Sequence, residues 1–243
     1  MCIRDRGIAK ATLSAGAKIF ENTAAIGYKV HDSCVRVETQ KGSIKADRVI
    51  LACNGYLGTL EKRLTSKILP MNNYIVATKP LDDGMVKKIN PRDIAFADSR
   101  FVINYFRLSA DKRLLFGGGE NYSKELSNNI VPIVTKPLEK IYPLLKGVKI
   151  DYAWGGKLAI TMNRLPFFTT LYNDKVISAQ GYSGQGVALA SYSGKIVSEK
   201  ITGDGKTFDI MSTIPRQSFP GGRFLRNPSM KIGMLYYSLL DRI

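Results

Sequence analysis

The segment KVISAQ-GYSGQG-VALASYSGKIVSEKIT, residues 175–202, restricts the fold more than any other part of the chain. A short, almost wholly apolar run reads as a buried strand. It breaks at three glycines, and the residues after the break read as a helix running to Gly203. A strand that turns through glycines into a helix belongs to an α/β layer architecture. Gly181, Gly184 and Gly186 allow positive φ and let a ligand approach the backbone closely. The helix start adds unpaired N–H groups and the positive end of a dipole. Its guest would be a phosphate, a carboxylate, or a carbonyl that becomes negative during reaction. The spacing is G-x-x-G-x-G, not the G-x-G-x-x-G of a dinucleotide fingerprint, and no βαβ unit follows it. Taken alone, a tight turn of purely structural use fits it equally well.

The rest of the chain divides by texture. Residues 7–17 read as a helix ending near Gly16, followed by strands KIFEN (18–22), AIGYKV (25–30) and VRVETQ (35–40). After a KGS turn, the continuous apolar run Val49 to Ala52 reads as a strand buried on both faces, ending in the turn pair Asn54-Gly55. From about residue 66, NNYIVATKPL, FVINYFRL and RLLFGGG are β-branched and aromatic between polar turns, the pattern of an antiparallel sheet. Helices are expected over 82–90 and 124–146, the second interrupted by Pro132 and Pro137. VKIDYAWGGKLA (148–159) is a further strand, and SMKIGMLYYSLLDRI a terminal helix. The expected divisions are 1–65, 66–159, 160–205 and 206–243.

The chain carries 36 Lys and Arg against 20 Asp and Glu. A nucleic-acid binder concentrates such an excess on one element. Here it is even: 11 against 6 in residues 1–65, 17 against 10 in 66–194 and 8 against 4 in 195–243. Like charges reach only pairs, so a solvated basic surface is expected, one that also draws in an acidic substrate. No apolar run approaches the roughly 20 residues of a membrane span. Cys2, Cys34 and Cys53 match no metal spacing and are expected as reduced thiols in a cytosolic protein without a metal site.

Three segments together carry a family resemblance. ADRVILACNGY resembles the strand that closes the FAD-binding domain of flavin oxidoreductases. WGGKLAITMNRLPFF resembles the segment that brings the chain back beside the flavin, and GYSGQG follows in the same order. The order is that of the D-amino-acid-oxidase and glycine-oxidase family, the FAD-dependent DAO family. FPGGRFLRNPSMKIGMLYYSLLDRI and NYFRLSADKRLLFGGG resemble its gamma-glutamylputrescine oxidase branch. The fold implied is α/β (α+β): part of a glutathione-reductase-like, Rossmann-type FAD domain, with an inserted antiparallel-sheet substrate domain capped by helices.

The resemblance also implies roles. Gly181, Tyr182, Ser183, Gly184, Gln185, Gly186 and Val187 would lie against the flavin ring, the helix start directed at its pyrimidine carbonyl. Ala52, Asn54 and Gly55 would lie nearer the pyrophosphate and ribityl chain, Ala25 near the adenine, and Gly156 and Thr161 beside the cofactor. The family position matching Thr161 and Asn163 commonly reads Thr-x-Asp, so Asn163 removes a charge there. With no cysteine after Cys53, the FAD is expected to be non-covalent. The implied reaction passes a hydride from an amine to flavin and yields imine, then aldehyde and ammonia, with O₂ reduced to hydrogen peroxide. No dedicated catalytic residue is expected, and the single histidine, His31, reads as a turn residue. Substrate contacts are expected from the sheet: Tyr105 and Arg107 on one face, then Tyr74, Trp154 and Lys157. Arg107 is suited to a carboxylate.

The family's opening strand, G-x-G-x-x-G turn and ribose-binding acid have no counterpart in these 243 residues. The chain is therefore expected to be an N-terminally truncated piece, colourless and inactive by itself. Two other readings remain: a glycine or sarcosine oxidase or FAD-dependent amino-acid dehydrogenase, and, from another class, a basic nucleic-acid-binding protein.

Overall fold

The computed structural model describes residues 3–100, 103–121 and 125–220, with positions 222, 225, 228, 232 and 233 beyond them. Its elements are α1 (Ile3–Ser14), β1 (Ala25–Val30), β2 (Val35–Thr39), β3 (Gly42–Ala46), β4 (Val49–Leu51), α2 (Lys62–Thr65), β5 (Leu69–Thr78), α3 (Asp83–Ile89), β6 (Phe96–Ala97), β7 (Tyr105–Leu108), β8 (Leu114–Asn121), α4 (Val131–Ile141), β9 (Ile150–Ile160), β10 (Phe167–Leu171), β11 (Val176–Gln180), α5 (Gly186–Thr202) and α6 (Lys206–Ser212). They form two compact units, Met1–Val49 with Thr170–Val176, and Ile50–Thr169 with Ile177–Ile243.

The first unit is built on an antiparallel meander, β1-β2-β3. Thr39 pairs with Gly42 across a two-residue turn, one position earlier than the sequence suggests. The Lys175 ammonium donates to the His31 carbonyl at 2.9 Å and to that of Asp32, which clips the first hairpin. His31 is thus an exposed turn residue. KIFEN is not a strand: Ile19 and Phe20 are exposed, and among the described residues no neighbouring edge takes up the backbone groups a strand must pair.

The second unit holds a five-stranded antiparallel sheet in the order β6-β7-β8-β5-β9. Alternation gives each strand two faces. Tyr74, Val76, Leu114 and Phe116 turn to one side and form a core with Leu81, Ile89, Val134 and Leu138 from α3, α4 and the connection before them. Asp82 caps α3, its carboxylate accepting from the Met85 N–H at 2.8 Å. Pro132 enters α4 in its first turn, where a missing N–H costs nothing, and Pro137 lies inside the helix. This helix is shorter than the stretch expected from the sequence.

A second layer, in the strand order β10-β11-β4, packs Phe168, Ile177 and Ala179 against Ile196 and Val197 of α5 and Phe208 of α6. The helix α6, KTFDIMS, was not expected from the sequence. Gly203 ends α5 in the left-handed region at φ 112°. The expected burial of β4 on both faces needs correction. Leu51 is buried, but Ile50 is 46% exposed because it lines an open apolar cleft of about 320 Å³ with Ala52, Ala179 and residues of α5. The terminal helix expected over 229–243 lies outside the described residues apart from Ile232 and Gly233, and Cys2, Phe101 and Val102 are also outside them. Among the described residues no helix is long and apolar enough to cross a membrane.

Gly155 measures how tightly the sheet fits. A Cβ there would lie 2.6 Å from the ring of Tyr74, which is fully buried. Gly155→Ala is expected to destabilise the protein by about 1–3 kcal/mol, read as a lower denaturant midpoint with an unchanged slope.

Candidate functional site

Three stretches far apart in sequence meet in the second unit. Asn54, at the end of β4, adopts φ 48°, and its side-chain oxygen accepts from the Gly181 N–H at 3.1 Å, across 127 residues. The Ser183 N–H donates to the Ala159 carbonyl of β9 at 2.9 Å. Gly55 lies so close to β9 that a Cβ would fall 2.6 Å from the Lys157 carbonyl. The turns ACNGY and GYSGQG and the end of WGGKLAI therefore form one cluster. Thr161 stands behind it: its hydroxyl donates to the Leu165 carbonyl at 2.8 Å, and its N–H donates to Ser183 Oγ at 3.2 Å. Asn163 bonds the Pro215 carbonyl and the Leu165 N–H, a turn-forming role that requires no charge.

The glycine turn is open where a guest would enter. Gly181 is buried at φ 80°, and a Cβ there would meet Thr161 at 2.7 Å. Gly184, at φ 96°, is exposed, and among the described residues nothing lies within 4 Å of where a Cβ would stand. Gln185 precedes α5 without capping it, and Leu189 makes the first helical bond, to the Gln185 carbonyl. The first residues of α5 thus precede the intrahelical ladder, and Val187 is 72% exposed among them. Tyr182 is buried beneath the turn and donates to the Ala179 carbonyl at 3.0 Å. The turn also adjoins the cleft that Ala52 lines with Ile50.

Beside the cluster, Tyr56 Oη accepts from the Lys157 N–H at 3.1 Å, and the Lys157 ammonium stands 5.9 Å from the centre of that ring. Both line a cavity of about 160 Å³ with Asn54, Gly55, Thr65, Ile68 and Pro70. Tyr56 was not singled out in the sequence; its only signal was its place directly after the Asn-Gly pair.

The sheet face opposite the α4 core carries Arg107, Tyr105, Ile75 and Trp154. The register sets Tyr105 against Gly117, Gly117 against Ile75 and Ile75 against Trp154, a row across four strands. A Cβ at Gly117 would lie 2.2 Å from the Tyr105 ring, so the ring occupies the space a side chain would fill. It crosses to β5 and donates its hydroxyl to Asn73 Oδ1 at 2.5 Å. Asn73 is buried and pairs with Gly156, the next position along β9 toward the cluster. Arg107 lies on the far side of Tyr105, in the row of Leu115, Ala77 and Tyr152, and its Nε donates to the Leu108 carbonyl. Tyr74 does not join this face. It points into the core and its hydroxyl accepts from the Ser127 N–H at 2.9 Å, which fits a structural role and not a substrate contact. Asn73 takes the position on the strand that the sequence reading gave to Tyr74. Ala25 opens β1 in the first unit and is exposed there.

Burial pushes the Cys53 thiol up, against a smaller lowering by a backbone hydrogen bond, so it is no ready nucleophile. Among the described residues no group of three or more His, Cys, Asp or Glu could hold a metal ion.

The chain belongs to the family described as "FAD dependent oxidoreductase", DAO, whose model matches residues 5–200. It is 36% identical over 238 residues to the gamma-glutamylputrescine oxidoreductase of Escherichia coli K12, covering 98% of this chain and 55% of that one. It is 39% identical over 236 residues to the probable oxidoreductase OrdL of Rhizobium meliloti, covering 97% and 54%. The chain thus spans about half the length of these relatives. The solved L-proline dehydrogenase of P. horikoshii superposes with a TM-score of 0.65 over 81% of this chain and 54% of that one, at 24% identity, a likeness of fold.

The family's cofactor is FAD, and the cluster fits part of it. The bare, open Gly184 and the uncapped start of α5 form a cradle for the electron-rich edge of a planar ring.

Burial pushes the Tyr182 phenol above the usual tyrosine range, against a smaller lowering by a hydrogen bond with Ser193. Stability gained from the protonated phenol is complete below the unfolded pKa of about 10 and is lost as pH rises through the folded value. Alkaline unfolding of wild type is therefore expected to steepen above about pH 10, and Tyr182→Phe to flatten that limb.

Proposed function

We propose that this chain contributes the flavin-facing and substrate-facing parts of an FAD-dependent amine oxidase acting on a long amine that bears a distant carboxylate, of the gamma-glutamylputrescine kind. When bound, FAD supplies the acceptor for a hydride from the carbon carrying the amine, with O₂ as the final oxidant. The residues of this chain that would hold it are Gly181 to Val187, Asn54, Gly55, Ala52, Gly156 and Thr161. The N–H groups at the start of α5 and its dipole favour negative charge at the ring edge before them. Asn54 and Ser183 hold that turn still, so the donors need no reorganisation as charge grows. The product imine hydrolyses to aldehyde and ammonia. A reducing, cytosolic setting accords with Cys34 and Cys53, which form no disulfide.

One observation carries the choice of substrate. Asn73, which takes the proton of the Tyr105 hydroxyl, stands at the cofactor end of the sheet, and Arg107 lies in the row four residues beyond Asn73 and two beyond Tyr105 on the same face. At roughly 3.3 Å per residue that is about 13 Å along the strands. An amine oxidised at one end and a carboxylate held by Arg107 at the other requires an extended molecule, which glycine and sarcosine are not. Trp154 lies between as an apolar wall. The amine-oxidase relatives support the class of reaction.

The test uses a protein of the relatives' length that contains this chain, loaded with FAD. Peroxide release with gamma-glutamylputrescine, glycine and sarcosine is compared, alongside the flavin absorbance of the chain as it stands, which is expected to be colourless. The gamma-glutamyl amine is expected to be preferred, and Arg107→Ala to raise its KM by about 10- to 100-fold while sparing a monoamine without the carboxylate. Preference for glycine or sarcosine, or an indifferent Arg107→Ala, would overturn the reading.

A further inference from the structure

We infer that the cavity of about 160 Å³ lined by Asn54, Tyr56 and Lys157 is a binding site for a small carboxylate with a short apolar tail. The inference does not depend on amine oxidation, and the cavity is separate from the substrate face proposed above. Side chains alternate along β9, and Lys157 is three positions from Trp154, so the two lie on opposite faces of the sheet.

The polar groups of the wall are donors. Tyr56 Oη accepts from the Lys157 N–H at 3.1 Å, which leaves the phenol its own proton to give. Among the described residues that proton meets no acceptor, and Tyr56 is 61% exposed. Asn54 is in the same position. The Gly181 N–H can only donate, so the end of the Asn54 side chain that receives it is the oxygen, and Nδ2 keeps two protons. These too meet no acceptor among the described residues. Lys157 adds a positive charge, its ammonium 5.9 Å from the centre of the Tyr56 ring. Charge acts at a distance, so it favours an anion in the cavity without a direct bond. No Asp or Glu is among the described residues that line the cavity. Glu61, close by in sequence, is buried and holds Arg63 with both its oxygens.

Such a wall takes a guest that brings lone pairs and a negative charge. The remaining surface decides which anion. Leu57, Ile68 and Pro70 make it apolar, and apolar surface rewards a hydrocarbon tail, which inorganic phosphate lacks. A short-chain carboxylate satisfies both parts: its oxygens accept from Tyr56 Oη and Asn54 Nδ2, and its tail covers the apolar side. An amide polarised at one end responds at the other. A carboxylate on Nδ2 makes Asn54 Oδ1 a stronger acceptor, so the guest tightens the bond to Gly181 that holds the glycine turn.

The experiment titrates butyrate calorimetrically into a protein of the relatives' length that contains this chain, loaded with FAD. An Arg107→Ala background removes the guanidinium of the substrate face. One site is expected. Tyr56→Phe and Lys157→Met should each weaken it by about 10-fold. Asn54→Asp keeps an acceptor for Gly181 but sets a carboxylate against the guest, and should abolish binding. Butylamine, of equal length and opposite charge, and inorganic phosphate, without a tail, are each expected to bind about 10-fold more weakly or not at all. Hydrogen exchange at the Gly181 amide should slow when butyrate binds, and not in Asn54→Asp. The proposal is overturned by the absence of binding, by binding that Tyr56→Phe leaves unchanged, or by equal binding of phosphate or butylamine. Unchanged exchange at Gly181 overturns it as well, and so does binding to the FAD-free protein alone, which would place butyrate where the cofactor belongs. Denaturant midpoints identify any variant that fails to fold; if Asn54→Asp does, Tyr56→Phe and Lys157→Met carry the test. Butyrate binding as described, without peroxide release from any amine, would refute the proposed function and leave this inference standing, and the reverse result would do the opposite.

Discussion

One hydrogen bond determines whether the site exists. Asn54 accepts from the Gly181 N–H, and through it the end of one strand fixes the turn that leaves another. Both partners are in unusual backbone conformations, Asn54 at φ 48° and Gly181 at φ 80°. Asparagine is among the few residues that enter that region readily, and glycine enters it without cost. Two left-handed turns are thus each held in the shape the other requires. The bond from Ser183 to the Ala159 carbonyl then ties the same turn to the sheet. The start of α5, and any charge it stabilises, is positioned by these two contacts.

What the sequence disclosed and what it withheld follow from the range of the forces involved. The strand–turn–helix of β11 and α5 was legible because its signals are local: apolar run, glycines, helix, Gly203. The capped α3 and the long sheet strands were legible for the same reason. KIFEN was misjudged because a strand exists only if a neighbour pairs with it, and no composition reveals the neighbour. β10 lay hidden behind TMNRLP, and α6 in a short stretch after Gly203 whose two turns are too few to show a period.

The candidate site was half legible. Its cofactor side is made of glycines and backbone, which motif and order disclose. Its substrate side depends on which face of a strand a residue takes, and a shift of one position reverses that. Tyr74 was the more conspicuous residue, yet the register turns it into the core and gives its neighbour Asn73 the opposite face. An aromatic in a sheet advertises itself, whereas an asparagine in NNYIVAT does not. Tyr56 was obscured differently: its role lies in a contact 101 residues away, with the Lys157 N–H.

Gly117 has one more consequence. Where it lies, the open face of the sheet is backbone with the Tyr105 ring laid across it. Neither layer has a terminal methyl or a flexible tail to rearrange, and the hydroxyl of the ring is held at Asn73. A surface built in this way has a level set by covalent geometry. It keeps that level when the residues around it change, so substitutions nearby can alter its chemistry without altering its height above the strands.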